Sequence, residues 1–185
     1  LYAEGTLWWR VVAADVVATL VVFAGSVVCR NSSVYDAYWS VAPLVIAPVL
    51  LAFADADANL VRQVHVLGLV GWWGVRLTYN WVRQWSGLDH EDWRYVDIRA
   101  KSGALYWPVS LLGIHLFPTL LVLAGCLGLF PALVWGTAPF GVLDVLATVV
   151  TLTGILCEMI ADRQLHGFRA RRPPREEILN EVLGH

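Results

Sequence analysis

Hydrophobic positions in this chain fall into long blocks, with most of the polar residues gathered between them. Five blocks stand out: Leu7–Val28, Tyr38–Phe53, Leu60–Val82, Trp107–Phe130 and Phe140–Ile160. A helix needs roughly 20 apolar residues to cross a bilayer, fewer where it tilts or the membrane thins. The pattern therefore predicts an all-α, polytopic transmembrane bundle of about five spans. The second block is short and carries Pro43 and Pro48, which a membrane helix tolerates when neighbouring helices satisfy the freed carbonyls. Arg10 and the small residues Ala24-Gly25-Ser26 give the first block some signal-peptide character. Its length and the four blocks that follow it favour a span.

Composition agrees. The chain of 185 residues is 58% hydrophobic with ten Trp, and its mean hydropathy is +0.60. A soluble domain of this size would need more polar surface than that. Charge then orients the spans. If all five cross, the loops 29–37 and 83–106 share one side with the tail after 160. Ten of the 13 basic residues lie there, and only Arg10 and Arg62 border the other side. Positively charged loops stay inside, so this side is expected to be cytoplasmic and the N-terminus outside. The domain organisation predicted is a bundle over 1–160 with the cytoplasmic loop 83–106, and a cytoplasmic tail from 161 to 185. Arginine outnumbers lysine 12 to one, which fits a GC-rich bacterial genome and hence a bacterial cytoplasmic membrane. Cys29, Cys126 and Cys157 are scattered and suggest neither a disulfide framework nor a metal site. No Walker-type loop or Gly-x-Gly-x-x-Gly motif is present, and nothing points to nucleic acid. The sequence says nothing of oligomeric state.

Chemistry-bearing residues concentrate on the basic side. Asp36 stands at the mouth of the second span. "GLDHEDWRYVDIR" (87–99) fills the loop between spans three and four, and "CEMIADRQLHGFRARR" (157–172) carries the fifth span outward. Asp89, His90, Glu91 and Asp92 could simply cap a short interfacial helix, and Trp85, Trp93, Tyr95, Tyr106 and Trp107 could form an aromatic belt. So many charges of both signs exceed what a belt needs, and Arg94 and Arg99 suit a phosphate, which guanidinium binds bidentately. Glu158 and Asp162, spaced i, i+4, share one helix face. Like charges there, near an expected helix C-terminus, imply a partner for these carboxylates: nearby Arg163, His166 or Arg169, or a ligand. Asp15 and His115 fall inside spans, where ionisable groups are functional by default, although His115 could simply bond a neighbouring carbonyl.

The stretches "YDAYWSVAP", "WWGVRLTYNW", "GLDHEDWRYVDIR" and "CEMIADRQLHGF", in this order, resemble a family of membrane proteins related to the steroid 5α-reductase C-terminal domain. The resemblance covers nearly the whole chain. It implies an NADPH-dependent reductase of a conjugated carbon–carbon double bond in a lipophilic substrate. A distant branch of the wider superfamily contains isoprenylcysteine carboxyl methyltransferases, so S-adenosylmethionine is the alternative cofactor, and a non-enzymatic membrane protein is a third possibility. In the steroid reductases a glutamate followed seven residues later by proline binds the substrate carbonyl; Asp36 and Pro43 have that spacing. An Asn-x3-Asp pair followed by arginine contacts the dinucleotide, and Glu158, Asp162 and Arg169 occupy the matching positions, with Glu replacing Asn. The catalytic tyrosine of the third span has no direct counterpart; Tyr79 is nearby, while a plain alignment puts Trp73 there. The resemblance also implies a further Gly-Leu-Trp-x-x-Ser-Arg-His-Pro-Asn-Tyr-like signature and more spans, so a chain ending at "EVLGH" is expected to be a fragment. Asp36 would stabilise the developing oxyanion only as a protonated donor, a form that an apolar cavity favours.

Overall fold

A computed structural model describes residues 2–171, with side chains for 5–168 and 171. Helix makes up 84% of the described residues, which contain no strand, as the blocks predict. The protein is an integral membrane helical protein. The elements are α1 (Tyr2–Cys29), a 3-10 turn (Ser32–Ala37), α2 (Tyr38–Ala52), α3 (Leu60–Gln84), α4 (Trp93–Ser102), α5 (Tyr106–Val109), α6 (Phe117–Cys126) and α7 (Val142–Ala170). The described residues up to Ala138 form one compact unit and those from Pro139 a second.

Four stretches are long and apolar enough to span: Gly5–Cys29, Ser32–Ala52, Trp93–Trp135 and Val142–Phe168. The predicted third span, α3, has 25 residues, enough length at about 1.5 Å rise each. Its Arg62, Gln63, His65, Arg76, Asn80 and Arg83 make it amphipathic and leave it outside those four, and among its described residues only Gln63 and Gly74 are buried. Two expected boundaries shift. The helix of the fifth span continues to Ala170, ten residues beyond the apolar block, because polar side chains do not by themselves stop a helix. The fourth apolar block lies within a longer helical path from Trp93 to Trp135, whose first part, α4, is polar.

Hydrogen bonds fix the topology of the first unit. At one end Asn31 and Ser32 bind residues 88–91. At the other, Asp55 N–H donates to Val134 O, Asn59 N–H to Gly136 O, and the Gln63 amide to Leu133 O. Trp8 meets Phe130 edge-on at 4.9 Å, which places the start of α1 at this second end. Chain direction thus reverses from α1 to α2, from α2 to α3, and from α3 to the α5–α6 arm. The loops 30–37 and 85–92 are on one side, as the basic residues require. Helices α2 and α3 pack most closely at Gly74, where a Cβ would lie 2.7 Å from Leu44 Cγ; only glycine allows this approach.

The apolar core, with Leu7, Val11, Ile46, Ala47, Leu50, Leu123, Phe130 and Leu133, lies toward the second end. Toward the loop end the interior is polar. Thr19 binds Thr119 at 2.8 Å, Tyr35 binds Thr119 at 2.9 Å, and His115 Nε2 meets Ser26 at 3.1 Å. Lipid gives helices little hydrophobic reason to associate, so such bonds help to select neighbours. His115 lies in a π-helical stretch, Ser110–Leu116, which precedes Pro118; proline has no N–H to continue the α-helical ladder. Its Nδ1 lies 3.0 Å from Ser110 O, the carbonyl partner foreseen for it.

Candidate functional site

The site begins where α1 ends. Asn31 N–H bonds Ser26 O and Arg30 N–H bonds Val27 O, with Arg30 left-handed at φ 52. This closes the helix in the way glycine usually does, at a cost of about 1 kcal/mol for a residue with a Cβ. The strain turns Asn31, 1% exposed, toward the polar loop. Its Oδ1 accepts Ser33 N–H at 2.8 Å, starting the 3-10 turn, and its Nδ2 donates to Leu88 O at 2.8 Å and His90 O at 2.9 Å.

The polar block then closes over that turn. Asp92 N–H donates to Ser33 Oγ at 2.9 Å, and Asp92 Oδ1 caps α4 by accepting Arg94 N–H at 2.9 Å. The helix-capping possibility is thus realised. Glu91 is the hub: Oε1 accepts Ser32 N–H at 2.8 Å, Arg99 Nη2 at 2.9 Å and the Tyr106 hydroxyl at 3.2 Å. The Arg99 guanidinium lies 3.8 Å from the centre of the Tyr106 ring and also donates to Arg30 O.

This docking sets Tyr95 against Asp36. Tyr95, Ile98 and Ser102 recur at i, i+3 and i+7 on α4, and Tyr95 and Ile98 pack inward with Tyr35 and Ile114. The Tyr95 hydroxyl donates to Asp36 Oδ1 at 2.5 Å across 59 residues of sequence. Arg94, on the same turn of α4, chelates Asp92 through Nε at 2.8 Å and Nη2 at 3.1 Å. Its side chain is 56% exposed, and Nη1 has no partner among the described residues. The structure therefore separates two arginines that the sequence paired. Arg99 is committed to Glu91 and an aromatic face, whereas Arg94 has an open edge.

The other sequence candidates lie elsewhere. Tyr79 is 58% exposed on α3, with Arg83 5.7 Å from its ring centre, while the adjacent Thr78 turns toward Ser40 on α2. Trp73 stacks near Trp39 at 6.2 Å. Tyr95, not Tyr79, is the tyrosine bonded to Asp36. Glu158 and Asp162 are half-buried on α7 and each has an interaction partner. Since α7 runs to Ala170 they sit within the helix, so the expected penalty of acids at a helix C-terminus does not apply. The side chain of Arg169 lies outside the described residues. Asn31, Glu91 and Tyr95 were not foreseen as site residues. The i, i+3 apolar spacing of Tyr95 and Ile98 on α4 was the available signal for Tyr95.

Chemically, the arrangement is a carboxyl–phenol pair at the membrane face, held by a clamp of buried hydrogen bonds beside an arginine with an open edge. A family profile described as protein of unknown function (DUF1295) matches residues 20–183. No curated protein and no solved structure matches the chain.

Proposed function

The chain belongs to the DUF1295 family, and from this premise we propose that it is a membrane reductase of a conjugated carbon–carbon double bond in a lipophilic substrate, with NADPH as reductant. The observation that carries this reading is the Tyr95–Asp36 hydrogen bond, made where α2 meets the membrane face. Conjugate addition leaves negative charge on the substrate's carbonyl oxygen. A donor aimed at that oxygen is the main protein contribution, about 3 kcal/mol for one group. With the Tyr95 proton directed at Oδ1, a protonated Asp36 presents Oδ2–H to a carbonyl. Tyr95 then acts as a positioning residue that fixes which oxygen carries the proton.

The open edge of Arg94 fits a cofactor phosphate, which takes guanidinium hydrogen bonds readily. Arg99 serves the clamp. Glu158, Asp162 and Arg169 belong to the second unit, and a part for them in dinucleotide binding rests on the family resemblance alone. When bound, NADPH would supply a hydride to the β-carbon. Asp36 would hold the carbonyl oxygen.

The test is NADPH oxidation by the protein in lipid nanodiscs with a lipophilic enone such as a steroidal 4-en-3-one. Asp36→Leu should cut enone-dependent turnover by about 100-fold or more, and Asp36→Asn, which retains a donor, by less. Tyr95→Phe should lower kcat more than it changes KM. Unchanged turnover in both Asp36 variants would reduce the pair to a structural contact.

A further inference from the structure

Asp15 has no part in the site above. It lies near the middle of the span Gly5–Cys29, about 15 Å of helical rise from one end and about 21 Å from the other, well inside a hydrocarbon layer about 30 Å thick. It is 6% exposed. One carboxyl oxygen, Oδ1, accepts a short hydrogen bond from the Tyr38 hydroxyl of α2, which also reaches the Asp15 backbone carbonyl. The other, Oδ2, is buried without a hydrogen-bond partner.

The groups facing Asp15 are neutral. Tyr38 approaches from α2, Thr19 stands one turn along α1, and Tyr35 of the 3-10 turn and Cys126 of α6 lie within its electrostatic reach. Asp36 acts on Tyr35 but bonds Tyr95. No arginine, lysine or histidine pairs with Asp15 among the described residues. A carboxylate there would be a bare anion in a low-dielectric interior, with one oxygen deprived of both water and protein donors. Ionisable groups at such depth are paired, hydrated or neutral, and those that carry protons mark relays.

We propose that Asp15 is a proton-binding site in the membrane interior, holding a proton on Oδ2 while Tyr38 donates to Oδ1. The site is independent of the Asp36 chemistry, because Tyr38 and Tyr95 address separate carboxyls. A protonated intramembrane carboxyl has a chemical signature: reaction with an apolar carbodiimide. The carboxyl proton passes to a carbodiimide nitrogen while the carboxyl oxygen bonds the central carbon. An oxygen-to-nitrogen acyl shift then leaves a stable N-acylurea on the side chain.

The experiment treats wild type and Asp15→Asn in nanodiscs at neutral pH with dicyclohexylcarbodiimide or with a water-soluble carbodiimide, and maps adducts by peptide mass spectrometry. The infrared difference between the two proteins is recorded alongside. The expected result is an Asp15 adduct from the apolar reagent only, and a carboxylic-acid C=O band in wild type that shifts in D2O and is absent from Asp15→Asn. Asn still accepts from Tyr38, so the variant keeps the helix contact, and the wild-type adduct needs no variant. Where the reagent does not reach the site, the infrared difference decides. A carboxylate signature assigned to Asp15 would overturn the proposal.

Discussion

Removing Glu91 should loosen the whole loop end of the bundle. Its side chain is 12% exposed and its carboxylate serves three donors: Ser32 N–H, Arg99 and Tyr106. In Glu91→Ala the Ser32 amide, in a residue fully buried, loses its acceptor, at about 1–3 kcal/mol. Arg99 loses a charged partner; breaking a fully buried pair costs about 3–5 kcal/mol. Arg99 is 33% exposed and can rehydrate, so its share falls to about 1 kcal/mol. Tyr106 keeps Ser32 Oγ, 2.6 Å away, and adds little. The sum is about 3 kcal/mol, or roughly 6–12 °C in Tm for a chain of this size. Thermal unfolding in detergent, followed by tryptophan fluorescence, provides the assay. Asp97→Ala is the control, since Lys101–Asp97 is an i, i+4 pair with side chains 74% and 49% exposed, worth about 0–1 kcal/mol. Glu91→Gln, which keeps an acceptor for Ser32, should fall between them. Equal melting of Glu91→Ala and Asp97→Ala would refute the clamp.

Three further outcomes are expected. Gly74→Ala forces Leu44 away from α3 and should cost about 1–3 kcal/mol, whereas Gly71→Ala, with nothing within 4 Å, should be neutral or stabilising by up to about 1 kcal/mol; parallel melts compare them. In a background without Cys29, Cys126 and Cys157, a cysteine at Ser102 should react with impermeant maleimide from the cytoplasmic side and one at Ala138 from outside. Outside reactivity at Ser102 would reverse the orientation. Asn31→Ala removes the bonds to Leu88 O and His90 O, so amide exchange over residues 87–92 should rise well above that of α2, as measured by hydrogen–deuterium exchange.

The helices were legible because a bilayer imposes a coarse rule, about 20 apolar residues per crossing; four stretches meet it, and α3 follows it in length alone. The α4 cap at Asp92 was legible for a similar reason, being local chemistry within three residues. What lay hidden was long-range. Tyr95 and Asp36 are 59 positions apart, and nothing in either neighbourhood names the other; α4's inward face joins them only once Asn31 and Ser33 have docked the loop. Arg94 and Arg99 look alike in sequence, and only the position of Glu91 and Tyr106 in space makes one structural and leaves the other an open edge. Thr19, Ser26 and Thr119 pass for ordinary small residues in apolar runs, yet they form the polar interior. The reach of α7 past Ile160 was missed because hydropathy reports where the membrane ends and not where the helix does.

The most direct measurement follows an isotope. NADPH deuterated at the transferring position is incubated with the nanodisc-embedded protein and a lipophilic enone, and the product is examined by mass spectrometry and NMR. Deuterium at the β-carbon of a saturated ketone, formed by wild type and nearly abolished in Asp36→Leu, is the predicted result. A product without deuterium, or a methyl group acquired from S-adenosylmethionine under the same conditions, would contradict it.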